Sequence, residues 1–370
     1  MNNENVIIEY EKSRWARFGP YYAMFPMDFA YDVINKYSKK ETYVLDPFCG
    51  RGSSLYAAAS LGRIAHGIEI NPVGWLYSKV KLHPASIKSI NNRLCDVINN
   101  TKDITINKND FPEFFSYCFC DDVIKFLLSM QEMLDWKNNN VDATLMAFTL
   151  HYLHGKKGQS LSNQMPMVKA MSPQYSINWW NKNNCSIPPL IDIKEFFIQR
   201  IQWRYKKGYA KFKTSKSLHG NSIEKLHELK KYMDKKGKKY SLLFTSPPYH
   251  GVTNYFSDQW LRCWMLGEPN QPKINVDKYK KRFYSENAYI ELLDKVFSMC
   301  KQMLENNAIL YIRTDSREFT LNTTKKILLK YFPNHALTEQ TSQCNVISQT
   351  ELYKNSNKKP CEVDIILEPK

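Results

Sequence analysis

The sequence predicts an α/β protein: a Rossmann-like, mainly parallel, doubly wound sheet interrupted by a mainly helical insertion. Three observations predict it. A short apolar strand runs into a glycine-containing loop, a helix and a second strand, which is the seed of such a sheet. A similar apolar strand returns far downstream and again ends in a proline-rich turn. Between these two regions, residues 82–210 follow a helical and irregular pattern with no strand period.

Taken in order, Tyr43 to Leu45 is a buried strand that stops at the Asp46-Pro47 turn. Ser53 to Leu61, small and apolar, is a helix ending near Gly62, and Ile64 to Ile70 is the next strand. From about Lys81 the pattern changes. Asp121 or Asp122 is expected to cap a helix reaching Trp136, and Val141 to Leu153 forms another, closed by Gly155. Residues 155–180 read as irregular, with Trp179 and Trp180 assigned to the core. A helix over Ile193 to Lys206 follows the Pro188-Pro189 stop. The sheet resumes near Lys216, with a strand over Ser241 to Phe244. Then come a helix from Tyr255 to Leu266 ended by Gly267, an amphipathic helix from Tyr289 to Leu304 and a strand from Ala308 to Ile312. Leu321 to Tyr331 is helical, and Val363 to Leu367 is the last strand. The expected division is 1–81 and 211–370 as two parts of one catalytic domain, with 82–210 inserted.

A chain of 370 residues, 43% hydrophobic, buries an ample core. The formal net charge of +16 favours a polyanionic partner, nucleic acid ahead of membrane, against a basic protein with no such partner. Nine cysteines in no framework spacing point to reduced, cytosolic thiols. No C-x-x-C pair or histidine cluster builds a metal site. Met1 to Trp15 is polar, and no run approaches about 18 apolar residues. The expectation is therefore a cytoplasmic protein of a bacterial or archaeal cell, with no membrane and no metal.

Asp46-Pro47-Phe48-Cys49-Gly50-Arg51-Gly52 is a strand-to-helix loop whose G-x-G lets backbone approach a ligand and present free N–H groups. The same pattern also serves as a plain tight turn. Glu69, in Ile68-Glu69-Ile70-Asn71, lies about 20 residues on, where an acid accepts from ribose hydroxyls or is simply a solvated strand end. Thr245-Ser246-Pro247-Pro248-Tyr249 ends the downstream strand. Prolines fix that backbone with carbonyls outward, Ser246 adds an acceptor and Tyr249 a flat face, a set suited to an amino-bearing planar ring. An ordinary strand-to-loop turn would look similar. From Arg200 to Lys239 lysine and arginine dominate, and Arg200, Arg204, Lys206, Lys207 and Lys211 are the candidate phosphate contacts; a solvated helical face is the bland alternative.

The loop at Asp46 to Gly52 followed by Ser246-Pro247-Pro248-Tyr249 resembles the DNA amino-methyltransferases over most of the chain. The resemblance implies a Rossmann-like AdoMet-dependent methyltransferase fold, with S-adenosyl-L-methionine (AdoMet) as cofactor. It implies that Phe25-Pro26 and the helix after them pack against the methionine end of AdoMet. Asp46, Phe48, Gly50, Gly52, Glu69 and Ile70 line the cofactor, and Gly220-Asn221-Ser222 meets the adenine ring. Asn221 stands where the family usually has Asp, so an acceptor oxygen remains without the charge. Ile309 to Thr314 resembles the strand beside the target pocket. The insertion matches the place of a target-recognition region. A serine at the head of the catalytic motif is typical of enzymes acting on N4 of cytosine. Double-stranded DNA is then the partner, in a restriction-modification setting with a separately acting endonuclease. N6-adenine methylation or an RNA amino-methyltransferase on the same scaffold, and a silent DNA-binding subunit, are the alternatives. The cytosine-C5 class needs a Pro-Cys nucleophile between the motifs, whereas Pro360-Cys361 lies near the C-terminus.

By that resemblance Ser246, Pro247, Pro248 and Tyr249 are the catalytic residues. The amino lone pair is delocalised into the base. Hydrogen bonds from the amino group to Ser246 and the Pro247 carbonyl favour a more tetrahedral nitrogen, and Tyr249 stacks on the flipped-out base.

Overall fold

A computed structural model describes residues 13–21, 24–250, 255–272, 285–341 and 361–370. Its residues form two compact units. The first comprises Tyr22–Ser78, Lys213–Asn254 and Asn275–Lys370 in their described parts. The second comprises Lys79–Phe212 with the described residues of Met1–Tyr21 and Tyr255–Ile274. Residues 13–21 and 255–272 thus go with the helical unit, which reading along the chain did not anticipate.

The first unit is a seven-stranded sheet in the order β3-β2-β1-β4-β5-β7-β6. The strands are β1 (Tyr43–Asp46), β2 (Ile64–Glu69), β3 (Lys216–His219), β4 (Tyr240–Thr245), β5 (Leu304–Asp315), β6 (His335–Thr341) and β7 (Glu362–Pro369). Strands β1 to β5 are parallel, and β7 pairs antiparallel with both β5 and β6. This is the Rossmann-like, doubly wound arrangement expected. Strand order reverses between β1 and β4, and ligands of such sheets bind outside the carboxyl ends at that point. The helices of the unit are α1 (Met27–Tyr37), α2 (Ser53–Ser60), the first part of α3 (Pro72–Leu82), α10 (Ser222–Lys236), α13 (Glu286–Met303) and α14 (Glu318–Tyr331). One core cluster joins Leu45, Ile68, Leu243, Leu310 and Ile365 of the sheet to Leu226, Leu229 and Met233 of α10 and Leu293, Val296 and Phe297 of α13. Burial of such side chains stabilises by about 1.5–3 kcal/mol each.

The helical unit contains α4 (Ile87–Asn100), α5 (Phe114–Cys118), α6 (Asp121–Met133), α7 (Asn140–Tyr152), α8 (Pro173–Lys182), α9 (Ile193–Tyr205), α11 (Tyr255–Asp258) and α12 (Trp260–Met265). Several expectations need correction. Neither Asp121 nor Asp122 caps α6; Cys120 is the N-cap, and the two acids sit in the first turn, where they favour the helix dipole. The stretch read as irregular contains α8, which begins at Pro173 and buries Ser176, Ile177 and Trp180. Trp180 is core, but Trp179 is exposed. The expected helix over Tyr255 to Leu266 is broken at Gln259, whose amide donates to the Val168 carbonyl and accepts from Arg262. Strand β5 is longer than Ala308 to Ile312, and β6 and α10 were not foreseen. In α10 the charge run concealed three apolar residues at helical spacing.

Of the cysteines, Cys49, Cys95, Cys118, Cys120, Cys185, Cys263 and Cys300 are free thiols. Cys361 departs from the expectation of reduced thiols: it is disulfide-bonded. Spacing along a chain cannot reveal such a pair, because the bond depends on distance in the fold. Among the described residues no helix is long and apolar enough to cross a membrane, and no group of three metal-ligating side chains converges.

Candidate active site

Four hydrogen bonds join the carboxyl ends of β1, β2, β3 and β4 into one rim. Strand β1 ends at Asp46, which is buried. Its Oδ1 accepts from the Phe48 amide at 3.1 Å and from Thr245 Oγ1 at 2.6 Å, and its Oδ2 accepts from Ser54 Oγ. Thr245 is the last residue of β4, so this single carboxylate couples the glycine loop to the Ser-Pro-Pro-Tyr loop. At the end of β2, Glu69 Oε2 accepts from the Gly50 amide at 2.8 Å and Oε1 from the Asn71 amide at 2.7 Å. Past β3, the Gly220 amide donates to the Glu69 carbonyl at 3.0 Å. Ser222 Oγ donates to the Pro47 carbonyl at 2.8 Å.

The loop conformation requires its glycines. Gly50 and Gly52 have φ of 52° and 74°. A side chain at Gly52 would also bring its Cβ to 2.5 Å from Ser78 Oγ. Both carboxyls at the rim are harder to ionise than usual. Burial pushes Asp46 up to about 6, although bonds from Ser54, Thr245 and Phe48 oppose the shift. Burial likewise pushes Glu69 up to about 7 against the Asn71 and Gly50 amides. The Cys49 thiol is driven well above its ordinary value by burial, with Asp46 and Glu69 adding to the effect. It stays protonated, unlike a nucleophilic thiolate.

Ser246 and Tyr249 come together loosely, Ser246 Oγ donating to the Tyr249 hydroxyl at 3.5 Å. Ser246, Pro248 and Tyr249 are partly exposed, and Pro247 is buried. Burial raises the Tyr249 hydroxyl, and Glu362 raises it further, so it remains a neutral phenol. Beside it on β5 and β7 lies a charge network that sequence reasoning missed. Arg313 donates to both oxygens of Asp364 at 2.6 and 2.7 Å and to Glu362 at 3.1 Å, and its guanidinium lies 3.6 Å from the centre of the Phe29 ring. The arginine that directly follows the apolar run Ile309 to Ile312 was the available signal. Thr245 and Ser222 were also missed as connectors, for they act through partners remote in sequence.

Phe25 is buried and stacks on Phe244, centroids 4.5 Å apart, while Pro26 is exposed and precedes α1. Phe48 and Ile70 are partly exposed at the rim. Asn221 is the N-cap of α10: its Oδ1 accepts from the Ile223 amide at 3.1 Å, so its first partner is backbone. In the helical unit, Lys206, Lys207 and Lys211 are exposed. Arg204, expected at phosphate, is buried instead. It donates to the Arg14 carbonyl and contacts His151 Nε2 at 3.2 Å, and its guanidinium lies 4.8 Å from the Phe18 ring centre. Arg200 stacks on Phe196 at 3.3 Å and donates to the Phe196 and Gln159 carbonyls. These two guanidinium groups build the unit, and neither is a free phosphate donor.

Residues 3–74 match the family described as DNA methylase. Over 259 residues the chain is 24% identical to Type II methyltransferase M.MvaI of Kocuria varians, covering 62% of this chain and 52% of that protein. Over 67 residues it is 34% identical to Type II methyltransferase M.MjaII of Methanocaldococcus jannaschii, covering 18% of this chain and 13% of that protein. The chain thus spans about half the length of the first of these relatives and less of the second. Among solved structures it is similar to the rRNA methyltransferase AviRa of Streptomyces viridochromogenes, with 11% identity, a TM-score of 0.34 and coverage of 99% of this chain and 94% of that one.

Proposed function

We propose that the chain is a DNA amino-methyltransferase that methylates an exocyclic amino group of a base in double-stranded DNA, the N4 of cytosine. The observation that carries this reading is the Asp46–Thr245 hydrogen bond of 2.6 Å, which sets a cofactor-type loop beside a Ser-Pro-Pro-Tyr loop at the sheet's reversal point. Glycines in the left-handed conformation and a partly exposed carboxylate at the end of β2 suit AdoMet. Gly50, Gly52, Glu69 and Ile70 would hold it, with Phe48 and Asn221 toward its adenine and Phe25-Pro26 toward its methionine. When bound, AdoMet supplies a methyl group already activated for transfer.

The residues of the chain supply position. Pro247 and Pro248 have no N–H to donate, so the backbone of this segment offers acceptors only. The Pro247 carbonyl and Ser246 Oγ accept from the target amino group and hold its lone pair out of conjugation. The neutral Tyr249 ring stacks on a flipped base, a contact worth about 1–3 kcal/mol. Gly52→Asp should abolish AdoMet binding in calorimetry, since the site has neither the conformation nor the space for a side chain. Single-molecule sequencing of DNA from cells expressing the protein tests the base and the site together. Modified cytosines at a fixed sequence are expected, and unmodified DNA would contradict the proposal.

A further inference from the structure

The helical unit presents a face that the catalytic rim leaves unused. Helix α8 buries Ser176, Ile177 and Trp180 and turns Gln174, Tyr175, Asn178, Trp179 and Lys182 outward. Positions 175, 178, 179 and 182 lie at i, i+3, i+4 and i+7, which makes a single stripe. Tyr175 is 54% exposed and Trp179 38%. Two large aromatics on one exposed stripe mark a contact surface. The helix beneath them is firmly held. Trp180 Nε1 donates to the Gln164 carbonyl at 2.6 Å, and its ring packs against Phe114 and Tyr117. The C-terminal end is fastened by the Cys185 amide on the Trp180 carbonyl and by Ser186 Oγ on Asn181 Oδ1. The sequence around the helix is basic: residues 155–212 contain ten lysines and arginines against two acids, Asp192 and Glu195, with Arg204 buried and Lys169 paired with Asp258.

We propose that the outward face of α8 is a recognition surface for duplex DNA, read in the major groove. The inference rests on the reading of the protein as a DNA methyltransferase. A groove about 12 Å wide admits one helix, and asparagine and glutamine amides match the N6 and N7 edge of adenine. Gln174 and Asn178 carry such amides one turn apart, and Gln174 Nε2 already orients Asn178 Oδ1 at 3.0 Å. The aromatic rings offer apolar contact to thymine methyls, and Lys182 offers a charge to phosphate. A second copy of the chain fits less well, because a chain of net charge +16 repels its own copy.

The test compares wild type with Gln174→Ala/Asn178→Ala and with Tyr175→Ala/Trp179→Ala. Affinity is measured for a duplex bearing the methylated site and for an unrelated duplex, together with the methylation pattern, AdoMet affinity and sedimentation mass. We expect each variant to lose about 10-fold or more in affinity for its site, with methylation spread to degenerate sites. Unrelated duplex, AdoMet affinity and mass should be unchanged, which also shows that the variants fold. Variants that keep the wild-type site and affinity would overturn the inference while leaving the enzyme reading intact. A changed mass with unchanged DNA affinity would assign the face to self-association and overturn it too. Wild type that methylates no DNA would overturn both.

Discussion

Tyr249 and Ser246 touch the substrate in this reading, and Glu69 touches the cofactor, so their substitutions should separate. Tyr249→Ala removes the stacking face and leaves the Asp46–Thr245 bond alone. Methyl transfer should fall by at least about 10-fold, as a lost base stack implies, with AdoMet affinity nearly unchanged. Ser246→Ala should also slow transfer, but less, because the Pro247 carbonyl remains. Full activity in both would show that another loop does the chemistry. Glu69 gives a pH signature. Its folded-state pKa is raised to about 7, so in the ligand-free protein it holds a proton that the unfolded chain has already released. Its contribution to stability is therefore full below its ordinary pKa of 4.5 and is lost as pH rises through about 7. Ribose hydroxyls donating to Glu69 favour the ionised form. AdoMet binding should then release a proton, and affinity should rise by up to about 10-fold between pH 6 and 8. Calorimetry in buffers of different ionisation enthalpy reads this directly. Release that persists in Glu69→Gln would assign the proton elsewhere.

Loops and helices decide how those residues are presented. Thr245→Val keeps the shape of β4 but removes one of the two donors to buried Asp46 Oδ1, the Phe48 amide remaining, and the loss of one such bond costs about 0.5–1.5 kcal/mol. Urea unfolding should show that loss, and an unchanged midpoint would mean that the two loops are not coupled through this bond. Helix α9 and its tail divide into a structural and a surface part. Arg204 holds the helical unit together from inside, whereas Lys206, Lys207 and Lys211 are exposed. Reversing those three charges should flatten the dependence of log DNA affinity on log salt, by up to about 2.7 if each meets a phosphate. Arg204→Gln should instead lower the melting temperature. A slope that the three reversals leave unaltered would put the DNA elsewhere. The elements most legible in the sequence were those with one strong signal. The strand of Tyr43 to Asp46 is apolar and ends in a proline turn, and α9 follows a double proline. Helix α10 was hidden because lysines outnumber the three apolar residues it buries. Helix α8 was hidden because its start is marked only by Ser172-Pro173 and its core face by Trp180, indistinguishable in sequence from exposed Trp179.

At the level of the whole chain, periodicity, a glycine loop and a proline loop led to a doubly wound sheet, and the strand order bears that out. Contacts between remote segments could not be read in this way. The Thr245–Asp46 and Ser222–Pro47 bonds link positions 199 and 175 residues apart, and only the sheet order brings them together. The same holds for Arg313 and Asp364, 51 residues apart and fully bonded across antiparallel strands. The net charge of +16 pointed to a polyanion but not to which cations face it. Burial removes Arg204 from that set and leaves the exposed lysines. The most direct measurement incubates the purified protein with methyl-labelled AdoMet and duplex DNA, then resolves the nucleosides by mass spectrometry, with Tyr249→Ala alongside. The expected result is label in N4-methylcytosine for wild type and little for the variant. Label in N6-methyladenine would contradict the base assignment, and label found only when RNA replaces DNA would contradict the substrate.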